Sequence, residues 1–243
     1  MTDTPQVFAI LLAAGSGRRV GHTENKLFLD ILGRTILERA ARRLFLHPRV
    51  TQGIVVISED EKMRVRSLLE AMSTEVPLVF VKGGKTRQES AYWGLLEASK
   101  IAGDKKASRN IALIHDAARC FVSDRIIQDV VDTIVNERVG AAPAITPPDT
   151  TRLLDEKGLY VKKTLPRERV ALMQTPQGAD LDVLLQALEI AKTKDVQATD
   201  DLELLIRIGY PVKLVSGEVE NMKVTVKEDL PLASFFAESH PHL

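Results

Sequence analysis

Nine residues, LLAAGSGRR from Leu11 to Arg19, follow the apolar run Val7-Phe8-Ala9-Ile10 and set two glycines and two arginines at the mouth of the first candidate strand. Glycine lets the backbone approach a ligand closely, and amides exposed at such a turn suit a phosphate. Arg18 and Arg19 add planar forks for phosphate oxygens, and Lys26, beyond VGHTEN, adds a compact point charge. Three cations beside exposed amides suit a triphosphate better than a monophosphate; a solvated basic turn is the alternative. Two common nucleotide loops do not fit. The dinucleotide fingerprint G-x-G-x-x-G fails because Gly21 falls one place late after Gly15 and Gly17, and a Walker A loop fails because His22, not Lys, follows Gly21.

Other stretches carry candidate chemistry. In KGGKTRQES, Lys82 to Ser90, a strand end meets two glycines and then a capped helix, an arrangement open to a base or sugar and equally to a plain turn. IHDAAR, Ile114 to Arg119, sets Asp116 just past the carboxyl end of an apolar strand, where open α/β sheets bind ligands. A carboxylate there suits Mg²⁺, a hard cation often held by one or two carboxylates plus substrate phosphates, or it caps the following turn. His115 reads as a packed strand-end residue, since no second His or Cys lies at ligand spacing. ENMKVT offers Lys223 as a further phosphate cation or an edge charge, Arg167 and Arg169 are similarly open, and Asp200 and Asp201 read as helix N-terminal residues.

Positioning these groups takes an alternating fold. Val7 to Ala13, Gly53 to Ser58, Pro77 to Val81, Asn110 to His115 and Gly140 to Ile145 read as strands separated by segments of helical period, which implies a mostly parallel sheet. Ser or Thr three residues before Glu predicts helix starts at Thr35/Glu38, Ser58/Glu61 and Thr86/Glu89. The stretch from about Pro147 to Arg169 breaks the rhythm, with prolines at one end and Asp155-Glu156-Lys157-Gly158 between two extended runs, and predicts a β-hairpin arm. Beyond it come a helix from about Asp180 to Lys192, one opened by Thr199, strands near Val212 to Val215 and Met222 to Val226, and a last helix.

Composition narrows the class. The 243 residues are 44% apolar and 27% charged, ordinary for a globular α/β domain. No apolar stretch nears the roughly 20 residues that span a bilayer, and the N-terminus lacks a signal-peptide pattern, so a cytoplasmic location is expected. The 33 Lys and Arg balance the 33 Asp and Glu, which argues against a broad footprint for nucleic acid or anionic membrane. The single cysteine, Cys120, excludes an intramolecular disulfide and makes thiol chemistry a weak expectation.

In this order the pieces resemble the 2-C-methyl-D-erythritol 4-phosphate cytidylyltransferases of the non-mevalonate isoprenoid pathway. The landmarks are LLAAGSGRR with Lys26, GGKTRQES, HDAAR, the arm ending in TLPRER, TPQ at Thr175 to Gln177, ATDD and ENMKVT, and they span nearly the whole chain. The first loop is shared by many nucleotidyltransferases; the ordered set is more specific. The resemblance implies a Rossmann-like, nucleotidyltransferase-like sheet over residues 1 to 243, with an arm at about 147 to 170. It further implies attack of the substrate's phosphate oxygen on the α-phosphorus of CTP, with loss of pyrophosphate, assisted by Mg²⁺ or another divalent cation.

By the same resemblance Arg19, Lys26 and Lys223 are the catalytic cations. Ala13, Ala14, Gly15, Gly17 and Arg18 wrap the nucleotide, Gly83, Gly84 and Ser90 border the cytosine pocket, and Lys85 and Ala117 are further CTP-binding residues. Asp116 lies near metal and acceptor, with Arg119 and Thr175 beside it. Thr150 and Arg167 reach from the arm into the neighbouring subunit of a homodimer. The chain departs from the common pattern at Leu12, Cys120 and Lys85, and ITPPDTT is about two residues longer than usual before the arm, which leaves Thr151 as an alternative to Thr150. Some members carry a fused second enzyme, for which no room is expected before Leu243. A cytidylyltransferase for another polyol phosphate such as ribitol 5-phosphate, and a non-catalytic nucleotide-binding module, are the competing readings.

Overall fold

Strand β1 (Gln6–Ala13) shows why the sheet must be covered on both sides: Val7, Ala9, Leu11 and Ala13 enter one buried cluster, while Phe8 and Ile10 enter another.

 A strand apolar on both faces belongs in the middle of a parallel sheet. A computed structural model describes residues 5–15, 25–103 and 109–239, and it places β1 there, parallel to β4 (Gln52–Ile57) on one side and to β6 (Asn110–Asp116) on the other.

Between β1 and β4 lie the two-residue strands β2 (Asp30–Ile31) and β3 (Arg34–Thr35), which pair with each other, and α1 (Ile36–Phe45). Next come α2 (Lys62–Glu70), β5 (Leu78–Lys82), α3 (Arg87–Ala102), β6, α4 (Asp124–Glu137) and β7 (Gly140–Ile145). The arm follows as β8 (Thr151–Leu154) and β9 (Val161–Leu165), and then β10 (Leu172–Met173), β11 (Gln177–Asp180), α5 (Leu181–Thr193), α6 (Asp201–Arg207), β12 (Val212–Ser216) and α7 (Leu230–Ser239). Among the described residues the main sheet runs β10-β7-β11-β6-β1-β4-β5, with β12 parallel to β7. β10 and β11 are antiparallel to their neighbours, so the sheet is mostly but not wholly parallel. Helices α1, α2, α4 and α7 pack on one face and α3, α5 and α6 on the other.

The predicted strands other than Met222 to Val226 are present, as is the hairpin arm, and three local expectations are corrected. Thr35 and Glu38 form a full reciprocal cap: Glu38 N–H donates to Thr35 Oγ1 at 3.2 Å and Thr35 N–H to Glu38 Oε2 at 2.9 Å. No such cap forms at Ser58, because residues 59–61 make a turn, Lys62 N–H donating to Glu59 O at 3.3 Å, and α2 starts only at Lys62. Helix α6 is capped by Asp200 rather than Thr199; Asp200 Oδ1 accepts from Glu203 N–H at 2.9 Å, and Thr199 instead donates to Glu203 Oε2. Residues 222–226 are not a strand. Their backbone is used elsewhere: Val224 N–H donates to Ala118 O at 2.9 Å, and Val224 O accepts from Lys26 Nζ.

The arm stands off the main sheet. β8 and β9 pair antiparallel with each other, Thr151 opposite Leu165, and the turn is held by Asp155 Oδ1, which accepts from Leu159 and Tyr160 N–H. Gly158 has φ +69°, a left-handed value that glycine adopts without a Cβ clash. Leu153, Leu154, Leu159, Tyr160 and Val161 are exposed along this hairpin.

Candidate active site

Strand order reverses at β1: the chain moves from β1 out to β4 and β5, and later returns to β6 on the opposite side. Ligands of open α/β sheets bind at such a switch point, outside the carboxyl ends of the strands. A cavity of about 650 Å³ opens there. It is lined by Leu12, Ala14 and Gly15 from the end of β1, by Gly84 to Arg87 and Ser90 at the start of α3, by Asp116 to Ala118 after β6, and by Lys26, Leu27, Lys223 and Thr225. Four of these side chains are basic and one is acidic, so among the described residues the cavity favours an anion.

The basic groups are held by short local devices. Asn25 begins a single 3₁₀ turn over Lys26–Phe28, accepting from Leu27 N–H at 3.1 Å while its Nδ2 donates to Gly15 O at 3.1 Å. The buried side chains of Leu27 and Phe28 anchor that turn, leaving Lys26 facing the cavity with its Nζ donating to Val224 O at 2.7 Å. Gly83 lies where the loop after β5 touches the loop after β1; a Cβ there would collide with the Cβ of Ala14. Ser90 closes the same loop, its Oγ accepting from Gly84 N–H at 3.2 Å and donating to Thr86 O at 2.9 Å.

Asp116 is the hub. Its Oδ1 accepts from Arg87 Nε at 3.0 Å and its Oδ2 from Lys223 Nζ at 2.6 Å. Burial by itself would raise its pKa, but Arg87 and Lys223 outweigh burial and hold the carboxyl well below its usual range. Behind it, Asp116 N–H donates to Thr175 Oγ1 at 3.2 Å, and Thr175 Oγ1 lies 2.9 Å from His115 Nδ1. Since the carbonyl of Arg119 can only accept, His115 Nε2 carries the proton and donates to it at 2.9 Å, so Nδ1 accepts from the Thr175 hydroxyl. His115 is therefore a packed histidine, as its place at the strand end implied. Cys120 is buried, which pushes its thiol up to about 12 and keeps it protonated.

The histidine gives a pH prediction. Burial lowers the His115 pKa to about 4, below its ordinary 6.5, so the unfolded chain binds this proton first. Its contribution to stability is complete above the unfolded pKa and fades as pH falls toward the folded one, on the order of 2 kcal/mol between about pH 7 and pH 5. His47, also lowered by burial, acts in the same direction. An NMR titration of the native protein should find the His115 ring neutral at about pH 5. A midpoint near its ordinary 6.5 would contradict the assignment.

Several anticipated residues come together in the cavity: Ala14, Gly15, Lys26, Gly84, Lys85, Ser90, Asp116, Ala117 and Lys223. Gly83 adjoins it through Ala14, Ala13 is the buried last residue of β1, and Thr175 stands behind Asp116. Arg119 is beside the lining, spending Nη1 on Asn221 O at 2.8 Å and Nη2 on Met173 O at 3.1 Å. Thr150 and Arg167 sit in the exposed arm, outside the lining, with Arg167 Nη1 donating to Pro148 O at 3.1 Å. Gly17, Arg18 and Arg19 lie outside the described residues.

Sequence reasoning missed Asn25 and Arg87. A signal for the second was present: Arg87 opens α3, where a cation opposes the helix dipole, so the position calls for a carboxylate partner. No group of three or more His, Cys, Asp or Glu suited to a metal occurs among the described residues. Asp116, the one carboxylate lining the cavity among the described residues, fits Mg²⁺ where substrate phosphates and water provide most of the ligands.

The family model of 2-C-methyl-D-erythritol 4-phosphate cytidylyltransferase matches residues 7–239. The chain belongs to this family. A curated member from Geobacillus kaustophilus is 36% identical over 93% of this chain and 94% of its own, and one from Clostridium beijerinckii is 33% identical over 96% and 99%. The crystal structure of 4-diphosphocytidyl-2C-methyl-D-erythritol synthase from Anaerococcus prevotii superposes with a TM-score of 0.82 at 27% identity, covering 97% of each chain. The family's nucleotidyltransferase-like α/β architecture is thus the one described above, and the basic cavity lies within the matched span.

Proposed function

We propose that this member of the family transfers the cytidylyl group of CTP to 2-C-methyl-D-erythritol 4-phosphate. A phosphate oxygen of the acceptor forms the new bond to the α-phosphorus, the bond from that phosphorus to the bridging oxygen breaks, and pyrophosphate leaves with the electron pair. The observation that carries the reading is the convergence of Lys26 and Lys223 with Asp116 in one cavity at the carboxyl ends of β1 and β6.

Charge migrates across phosphate oxygens during this reaction, so placement and neutralisation do most of the work. Lys26 and Lys223, with Arg19, neutralise the triphosphate. Lys223 starts paired to Asp116, and an arriving polyphosphate competes for that ammonium. Ala13 to Gly15, with Gly17 and Arg18, wrap the nucleotide, while Gly83, Gly84, Lys85, Ser90 and Ala117 complete its pocket. The fixed donors and acceptors of the loop at Gly83 and Gly84 would separate cytosine from uracil, since a mismatched base leaves a buried polar group unpaired.

The acceptor is assigned to Asp116 and Arg119, with Thr175 acting through the Asp116 amide, and to Thr150 and Arg167 from the arm of a second subunit. Asp116 and the nucleotide phosphates would hold Mg²⁺ or another divalent cation, which supplies further neutralisation of phosphate charge. We take residues 1–243 as one catalytic unit acting as a homodimer in the cytoplasm. No helix among the described residues is long and apolar enough to cross a membrane.

The test is pyrophosphate release with CTP and Mg²⁺, with methylerythritol 4-phosphate and ribitol 5-phosphate supplied separately. Release with the first alone is expected. Release with ribitol 5-phosphate alone would move the protein to another polyol phosphate, and no release with either would favour a non-catalytic nucleotide-binding role.

A further inference from the structure

Arg87 divides its guanidinium between two carboxylates. Its Nε serves Asp116, and its Nη2 donates to Asp201 Oδ2 at 2.8 Å. Asp201 does not line the cavity and is almost fully buried. Its own N–H donates to Gln177 Oε1 at 3.0 Å, an oxygen that also accepts from Leu202 N–H at 3.3 Å. Gln177 Nε2 in turn donates to Asp200 Oδ2 at 3.2 Å. A second tie runs alongside: Gln88 Nε2 donates to Val196 O and Ala198 N–H donates to Gln88 Oε1, each at 3.0 Å. The start of α3 is thereby fixed to the segment entering α6.

Burying a carboxylate against a guanidinium adds little net stability, because desolvation offsets the attraction. The start of α6 is already satisfied by the Asp200 cap and by Gln177. What the Asp201 carboxylate adds is a second anchor for Arg87, which leaves the guanidinium one orientation, with Nε aimed at Asp116. We propose that Asp201 is a positioning residue that fixes the acceptor-binding carboxylate Asp116 through Arg87. The proposal rests on the acceptor role assigned to Asp116 above.

Steady-state kinetics with CTP and methylerythritol 4-phosphate test the link in five proteins: wild type, Asp116→Asn, Asp201→Asn, Asp201→Glu and Arg87→Lys. A lysine keeps the charge but lacks the fork that reaches two carboxylates at once. Both Asp201→Asn and Arg87→Lys should raise the acceptor KM roughly tenfold, the scale of one misdirected hydrogen bond to a charged group, and Asp201→Asn, which lies outside the lining, should change the CTP KM by less than about twofold. Asp201→Glu, which restores the charge, should recover part of the loss. A purely structural tie between α3 and α6 would instead lower the melting temperature or the active fraction and leave both KM values in place. If Asp201→Asn does not fold, Arg87→Lys carries the test. An unchanged acceptor KM in these two variants, beside a raised one in Asp116→Asn, overturns the link alone. An unchanged acceptor KM in Asp116→Asn withdraws the acceptor role of Asp116, and the proposal with it.

Discussion

Replacing Lys26 by Ala should lower turnover by at least about 100-fold, or about 2.7 kcal/mol of barrier, the scale of losing one preorganised charge-stabilising donor. The fold should survive, because the turn that carries Lys26 is anchored by the buried Leu27 and Phe28 and by Asn25, none of which is altered. Removing the ammonium gives up its bond to the carbonyl of Val224, whose segment also keeps the Val224 N–H bond to Ala118 and the buried Val224 side chain. The distinguishing result is a native circular dichroism spectrum and melting curve beside a collapsed kcat. Turnover within a few fold of wild type would show that the Lys26 charge is not used in the transition state.

How far the chain reveals such a site depends on how local each cause is. β1 was legible because both of its faces are apolar in alternation, and α1 because its reciprocal cap lies within four consecutive residues. β11 was not. Its residues Gln177-Gly178-Ala179-Asp180 have no β-branched member, and the strand exists because β6 and β7 present open edges on either side. The extended run at Met222 to Val226 misled for the opposite reason: its composition suits a strand, but its backbone bonds go to the loop after β6 and to Lys26.

The site follows the same division. Gly83, Gly84 and Asp116 could be picked out because each sits beside a strand end that is itself visible in the sequence, and Lys26 as a cation following the glycine-rich loop. The bond from Arg87 to Asp201 joins residues 114 apart, and that from Lys223 to Asp116 residues 107 apart. Neither pairing leaves a local pattern. Asp201 was therefore assigned to its helix terminus, although its backbone serves the terminus and its carboxylate serves Arg87.

Mixing Arg167→Ala subunits with Lys26→Ala subunits should restore activity that neither variant has alone. Among the described residues the two strands of the arm pair only with each other, and Leu159, Tyr160 and Val161 are exposed at and beside its tip. Exposed apolar side chains grouped on a projecting hairpin favour a covering surface. If that surface is a second subunit, Arg167 acts on the neighbour's cavity, and each mixed dimer contains one site with both lesions and one with neither. Statistical exchange makes half of the dimers mixed, so about a quarter of wild-type activity should return. An arm acting on its own cavity predicts no return, since every site would then keep one lesion. The decisive measurement is activity in dimers isolated by two different affinity tags: half of the wild-type rate per dimer supports the shared site, and none removes Arg167 from the partner's chemistry.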